Sequence, residues 1–386
     1  LKLDRWLATA TQVLNVVSVA LLVLVAIPIA SDVRVAGGNT ESDQAAASPT
    51  GAAETPVATA DGRDIYHLVF DRYGSEASLE LGRGIDNSEF SDWLREQGFV
   101  VADDARANFE RTALSLSAVH EMSLHRDLIE SGSGDYDDLV QRIRTSRAAS
   151  TLQDLGYEYI VAGSWWGPSA YSAIADRVIQ PRYVMSFGSA LVDRSLLPSL
   201  EHLAAVVTRR SIDGSERQIA MTTTNQFEAL RTLVQEPGPK LVFAHLLVPH
   251  DPYVFLADGT VDGDRATYET QLAYTNDELK ALIEPLLALP AEEQPIIILQ
   301  ADEGPYPERY DEGRDDFDWS TATAEELVTK FGVLNAFYLP GPEGEAELPD
   351  GLSLVNTYPE ILDRYHGLAI DRSPDDTYGM VDGNYF

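Results

Sequence analysis

Beyond residue 63 the sequence alternates short, almost unbroken apolar runs with segments of helical periodicity, and few folds accept that pattern. Ile65–Phe70, Phe99–Ala102, Tyr157–Ala162, Leu241–Val248, Ile296–Gln300 and Val333–Leu339 read as strands. Ser88–Gln97, Leu114–Ile129, Tyr136–Leu155, Gln226–Gln235, Tyr268–Leu289 and Thr357–Tyr365 read as amphipathic helices. A strand that is apolar on both sides must be covered on both sides. The pattern therefore predicts an α/β fold, a central, mostly parallel sheet with helices on both faces. Pro285 falls inside the longest helical pattern and is expected to kink or end it. The Gly-, Pro- and Glu-rich stretch Gly341–Gly351 reads as an exposed loop.

Charge narrows the partners. Among 386 residues, 62 are acidic and 28 basic, for a net charge of −34. Such a surface repels phosphate backbones and excludes a nucleic-acid binder; it suits a protein facing a salty medium outside the cytoplasm. There is no cysteine. Disulfides, thiolate zinc sites and a cysteine nucleophile are thereby excluded, as is a sulfatase that converts cysteine to formylglycine.

The segment from Leu7 to Ala30 is apolar apart from scattered Thr, Gln, Asn and Ser. As a helix its 24 residues would span about 36 Å, enough to cross a bilayer. Lys2 and Arg5 precede it, which orients the remainder outward. We read residues 1–35 as a transmembrane anchor; a cleaved signal peptide is the alternative. The chain opens on Leu1 rather than Met, so further segments are expected upstream. Residues 36–62 are Gly, Ala, Ser, Thr, Pro and acidic residues that bury little, and read as a flexible linker. Residues 63–386 are then the extracytoplasmic domain.

Three of the expected strands run into chemically able residues. IYHLVF leads to Asp71, LVFAHLLVP to His250, and PIIILQA to Asp302 and Glu303. Ligands of open α/β sheets bind outside the carboxyl ends of the strands, so these residues should meet in one crevice. One strand-terminal Asp is usually a turn or a cap. Carboxylates and an imidazole converging from three strands point to a metal site. In ANFERTALSLSAVHEM, Thr112 stands just before a helical run. It reads equally as an ordinary N-cap or as a nucleophile, since a helix start favours both an anion and an ionised hydroxyl. A bound divalent cation would lower that hydroxyl's pKa further.

Five stretches, in this order, resemble the extracytoplasmic alkaline phosphatase superfamily: DIYHLVFDRYG, NFERTALSLS, FAHLLVPHDPYVF, YETQLAYTNDEL and IIILQADEGP. Within it, the chain resembles the sulfatase-like membrane transferases such as lipoteichoic acid synthase and phosphoethanolamine transferases, over roughly Asp64 to Tyr365. The resemblance implies an alkaline-phosphatase-like fold. It makes Asp71 the first metal ligand, Thr112 a ligand and the nucleophile that takes a phospho-group, and Asp302 a further ligand. His250 would contact the substrate phosphate or a second metal; His245 is read as buried in the sheet. Glu303 departs from the pattern, standing where that family usually has His. As a ligand it would harden the site and favour Mn²⁺ or Mg²⁺, with Ca²⁺ or Zn²⁺ as alternatives.

The resemblance implies a membrane-anchored, metal-dependent phosphotransferase that moves a group from a phospholipid or other phosphodiester donor to a cell-envelope glycan or polyol. A hydrolase with the same residues, or a non-catalytic envelope-binding member, are the alternatives. Other features receive bland readings. Trp165-Trp166 caps the core or lines a groove, and Asp311–Asp318 is a solvated loop. His67, His120 and His125 serve packing, or in the latter two cases the surface.

Overall fold

The computed structural model describes residues 62–125, 136–179, 212–312, 317–345, 348–349, 352–381 and 384–385. The expected anchor at 1–35 and nearly all of the linker at 36–62 lie outside them, as do 126–129 of the expected helix Leu114–Ile129 and 313–316 of the acidic run. No helix among the described residues is long and apolar enough to cross a membrane.

The apolar runs become strands β1 (Ile65–Phe70), β2 (Val100–Val101), β3 (Glu158–Ala162), β4 (Arg177–Ile179), β5 (Lys240–Leu246), β6 (Ile296–Ala301) and β7 (Asn335–Tyr338). They form one sheet in the order β2-β7-β6-β1-β5-β3-β4. β6, β1, β5, β3 and β4 run parallel, β7 pairs antiparallel with β6, and β2 antiparallel with β7. A small ribbon, β8 (Met380–Val381) with β9 (Asn384–Tyr385), lies apart from the sheet order. Every residue of β1, β5 and β6 is buried, which is what their unbroken apolar character requires.

Around the sheet are α1 (Glu76–Arg83), α2 (Ser88–Glu96), α3 (Thr112–Glu121), α4 (Tyr136–Thr145), α5 (Arg147–Asp154), α6 (Ile212–Thr232), α7 (Tyr268–Leu287), α8 (Glu308–Glu312), α9 (Ala324–Phe331) and α10 (Thr357–His366). The single helix expected over Tyr136–Leu155 is two. Ser146 leaves helical geometry and caps α5, its hydroxyl accepting from the Ala149 amide at 3.1 Å. α3 starts two residues earlier than expected and stops at Met122, which adopts φ 55°. Pro285 lies in the last turn of α7, and the helix ends two residues later at Leu287.

Two helices that the sequence reading missed, α1 and α9, pack together and shape the site. Gly82 makes this possible, because a Cβ there would meet Thr329 Cγ2 at 2.3 Å. Thr323 and Glu326 cap α9 reciprocally, and its last turn buries Thr329, Lys330 and Phe331. The chain after β6 lies against that turn at Gly304, where a Cβ would stand 2.5–2.9 Å from the carbonyl oxygens of Thr329, Lys330 and Gly332. Only glycine permits that approach, and it carries Lys330 to the end of β6.

Candidate active site

At the carboxyl ends of β1, β5 and β6 three buried side chains converge. Asp71 follows β1, Asp302 follows β6, and His245 is the penultimate residue of β5. Each offers one ligand atom, and the three atoms lie within 4.8 Å of one another. The Asp71 amide donates to the Leu246 carbonyl at 2.9 Å, which extends the β1–β5 ladder by one bond and fixes where its side chain emerges. Asp302 Oδ1 accepts from the amides of Arg72 (3.2 Å) and Glu303 (2.7 Å). That leaves Oδ2 buried with no hydrogen bond of good geometry, as is Oδ1 of Asp71.

His245 is fully buried, with Nδ1 2.9 Å from Ser169 Oγ and Nε2 3.6 Å from Asp71 Oδ2. Burial pulls its pKa down to about 3, so the ring is neutral. When Nδ1 carries the proton toward Ser169, the lone pair of Nε2 faces the carboxylates, and Nε2 has no hydrogen bond. Trp166 packs edge-on to the ring at 5.5 Å, which accounts for one of the paired tryptophans.

The electrostatics favour a cation. Burial, then the neighbouring Glu303 charge, raises the pKa of Asp71; burial and Asp71 do the same to Asp302. Four carboxylates (Asp71, Asp302, Glu303, Asp251) meet two cations, Arg72 and Lys330. Two negative charges remain, which a divalent ion would neutralise. Orphaned oxygens on two carboxylates and a neutral imidazole nitrogen form a donor set that suits such an ion.

Glu303 is not one of the three. Its Oε1 lies 3.1 Å from Lys330 Nζ and 3.3 Å from Arg72 Nε, so its nearest charged partners are cations of the protein itself, while Oε2 is buried without a hydrogen bond. Lys330 is fully buried, donates to the Gly304 carbonyl at 3.1 Å and sits 3.4 Å over the Tyr306 ring. Sequence reasoning placed Glu303 among the ligands and His245 in the packing. Lys330 comes from a helix that reading lacked, so its claim on Glu303 was invisible.

Thr112 is the first residue of α3 and half-buried. It is not the cap: Arg111 holds that position and offers no side-chain hydrogen bond to the helix start. The Thr112 hydroxyl approaches the Asp302 carboxylate closely enough to favour its charged form. Glu110, two residues earlier, is buried, both its oxygens lack hydrogen bonds, and burial lifts its pKa to about 7.

His250 stands on the rim of the cluster, with Nε2 4.0 Å from Asp71 Oδ1 and 19% of its side chain exposed. Its Nδ1 is hydrogen-bonded to the Asp251 carbonyl, which places the proton of the neutral ring on Nδ1. Burial, then the Arg72 charge, lowers its pKa. The Gln271 side chain donates to the His250 carbonyl at 2.7 Å and holds this loop against α7. His67, His120 and His125 are buried and hydrogen-bonded to Tyr358, Ser146 and Ser117 respectively.

No protein-family model and no curated protein sequence matches the chain. Solved structures do. The C-terminal periplasmic domain of EcEptC from Escherichia coli, in complex with Zn, is 13% identical, with a TM-score of 0.49 over 80% of this chain and 84% of that one. The corresponding domain of the phosphoethanolamine transferase EptC from Campylobacter jejuni is 14% identical, with a TM-score of 0.46 over 81% and 96%. The soluble domain of lipooligosaccharide phosphoethanolamine transferase A from Neisseria meningitidis is 10% identical, with a TM-score of 0.47 over 78% and 88%. The chain is thus similar to the EcEptC periplasmic domain and to domains of two phosphoethanolamine transferases, at identities between 10% and 14%.

Proposed function

We propose that the protein is an extracytoplasmic, metal-dependent phosphotransferase whose nucleophile is Thr112. One observation carries this reading: orphaned ligand atoms of Asp71, His245 and Asp302 converge beside a hydroxyl at an uncapped helix start. The order of motifs that resembles the sulfatase-like membrane transferases supports it.

Asp71, His245 and Asp302 would hold the ion, with Thr112 Oγ1 next to it. The imidazole in this set favours Zn²⁺ or Mn²⁺ over Mg²⁺ and Ca²⁺. A bound divalent ion supplies charge that lowers the hydroxyl pKa and offsets charge on the phosphoryl group. Thr112 Oγ1 forms the new bond to phosphorus as one ester oxygen of the donor departs in line and leaves as the free alcohol with the hydroxyl's proton, so that Thr112 carries the phosphoryl group with the donor's other ester substituent still on it. The amides at the start of α3 are suited to the phosphoryl oxygens. In the second half, the oxygen of the acceptor hydroxyl bonds to that phosphorus as the bond to Thr112 Oγ1 breaks and Oγ1 regains its proton. Nε2 of His250, unprotonated in the neutral ring, takes the proton from that hydroxyl. The imidazolium so formed lies beside Asp71, which stabilises it.

The donor is a phospholipid head group or another phosphodiester, and the acceptor a hydroxyl of a cell-envelope glycan or polyol. The anchor read at residues 1–35 would keep the enzyme at the membrane beside a lipid donor. Incubation with a labelled phospholipid and metal tests this. A phosphoryl adduct on Thr112 that carries the donor's remaining ester substituent, seen by mass spectrometry and absent from Thr112→Ala, is the expected result; turnover by Thr112→Ala removes the assignment. Label on an added polyol marks transfer, and free head group marks hydrolysis.

A further inference from the structure

Next to the centre, a cavity of about 210 Å³ is lined by Arg72, Arg83, Asp251, Tyr253, Tyr268 and Tyr306 among others. Its volume is below the ordinary range for a whole small-molecule ligand and suits one small group. The wall is continuous with the cluster above. The Arg72 amide donates to Asp302, and Asp251 lies 3.6 Å from His250 Nδ1.

The two arginines are not in equal standing. Arg72 contacts Asp251 through Nη1 at 2.5 Å and Glu303 through Nε at 3.3 Å, and its guanidinium carbon lies 4.5 Å from the centroid of the Tyr306 ring. Its backbone takes φ 61°, held by the Tyr268 hydroxyl donating to its carbonyl at 2.7 Å. Nη2 makes no hydrogen bond with the described residues. Arg83, in the last turn of α1, has no carboxylate partner among the described residues of a chain whose net charge is −34. Its Nη2 donates to the Tyr306 carbonyl at 3.3 Å, its Nε is buried without a hydrogen bond, and its guanidinium carbon lies 4.8 Å from the centroid of the Tyr268 ring.

A cation in the last turn of a helix interacts favourably with the helix dipole, and that alone accounts for an arginine at this position. It does not account for the direction taken. The guanidinium leaves its own helix for a carbonyl and a ring on two other elements, and borders the cavity. An unneutralised guanidinium facing Arg72 across a small space raises the potential there for anions, and its planar fork matches a phosphate or carboxylate.

We propose that this cavity binds an oxyanion, a phosphate or carboxylate group carried by the substrate at a point other than the reacting phosphorus. The assignment to the substrate rests on the phosphotransferase reading; the binding itself does not. Arg83 supplies the unshared charge, Arg72 the second edge, and the tyrosine rings hold both planes in place.

Titration of the full chain, stripped of metal, with inorganic phosphate tests the site without turnover. Wild-type protein binds one equivalent; Arg83→Gln weakens binding about tenfold or more, as expected for losing a charged hydrogen-bond partner. Arg83→Lys restores part of it, and Thr112→Ala leaves it unchanged. Thermal unfolding checks that the variants fold. Absence of saturable phosphate binding in the wild type, or equal binding by Arg83→Gln, overturns the proposal. Displacement separates the two sources of the group. A short-chain phosphatidate that displaces phosphate from wild type but not from Arg83→Gln marks the lipid donor, and a sugar phosphate doing so marks the acceptor. If neither displaces phosphate from wild type, the site is not a substrate site and the proposal falls. Phosphate binding through Arg83 in a chain that never forms a phosphoryl adduct on Thr112 keeps the anion site and refutes the transferase reading.

Discussion

Lys330→Met strands a buried carboxylate, and the structure sets the size of the effect. Lys330 is fully buried, its ammonium 3.1 Å from Glu303 Oε1, and Glu303 itself is 2% exposed. Burial lowers the lysine pKa while Glu303 pulls it back, the signature of a charge kept in the interior by its partner. Methionine fills most of the space of the stem, so packing changes little. What is lost is the neutralisation of Glu303, and breaking a buried pair from one side costs about 3–5 kcal/mol. Arg72 at 3.3 Å remains as a partial partner, so about 3 kcal/mol is expected at neutral pH. Urea denaturation of wild type, Lys330→Met, Glu303→Gln and the double variant closes the cycle. The double variant, with neither charge, should recover most of the loss. If Lys330→Met costs under about 1 kcal/mol, the level of an exposed pair, or the double variant is no more stable than Lys330→Met, Glu303 is not held in this way.

Other consequences are open to simpler tests. Gly304→Ala forces a methyl group against three carbonyl oxygens and should destabilise by about 1–3 kcal/mol, read by denaturation, while also lowering activity by moving Lys330 and Glu303. His250→Gln should cut turnover about 10²–10⁴-fold with metal content unchanged; loss of the metal instead would make His250 a ligand. Because burial and Arg72 lower the His250 pKa, the acid limb of the wild-type rate profile should fall below the ordinary imidazole range; a limb above that range contradicts the assignment. His67 and His120 are buried neutral, with pKa values drawn down by burial to about 4 and about 3 against an ordinary 6.5. Below pH 6.5 the unfolded chain binds a proton at each of these rings that the folded chain refuses, so the contribution of each ring to stability falls as the pH falls. The slope is about 1.4 kcal/mol per pH unit for each ring between its two pKa values; because the raised pKa values of Asp71, Asp302 and Glu110 act in the opposite direction, it is read as the difference between the metal-free wild type and His67→Gln, and identical pH dependence of the two from pH 6.5 to pH 5 refutes it.

The sheet was legible because its central strands are apolar on both faces. Ile65–Phe70 was read with its observed bounds, and Ile296–Gln300 fell one residue short. β4, three half-buried residues at the sheet edge, carries no such run. α1 and α9 span only eight residues each, two turns that periodicity resolves poorly. At the site, Asp71, Asp302, Thr112 and His250 could be named because three follow strands and one starts a helix. His245 is fully buried within an apolar strand, a position that reads as packing until the carboxylates of the neighbouring strands are seen beside it. Its signal was its place next to the strand's carboxyl end, level with Val69, two residues before Asp71. Arg72, Arg83 and Lys330 carry no local motif, since their partners lie in distant segments. Glu303 directly follows Asp302, and only α9 reveals which partner it takes.

The central claim is that Asp71, His245 and Asp302 form the metal-binding set while Glu303 does not. Metal content of the purified protein after equilibration with Zn²⁺ or Mn²⁺ tests it most directly, comparing wild type with Asp302→Asn, His245→Ala and Glu303→Gln. Wild type and Glu303→Gln should hold one equivalent, and Asp302→Asn and His245→Ala should hold none. Metal kept by His245→Ala and lost by Glu303→Gln would contradict this account and return Glu303 to the ligand set.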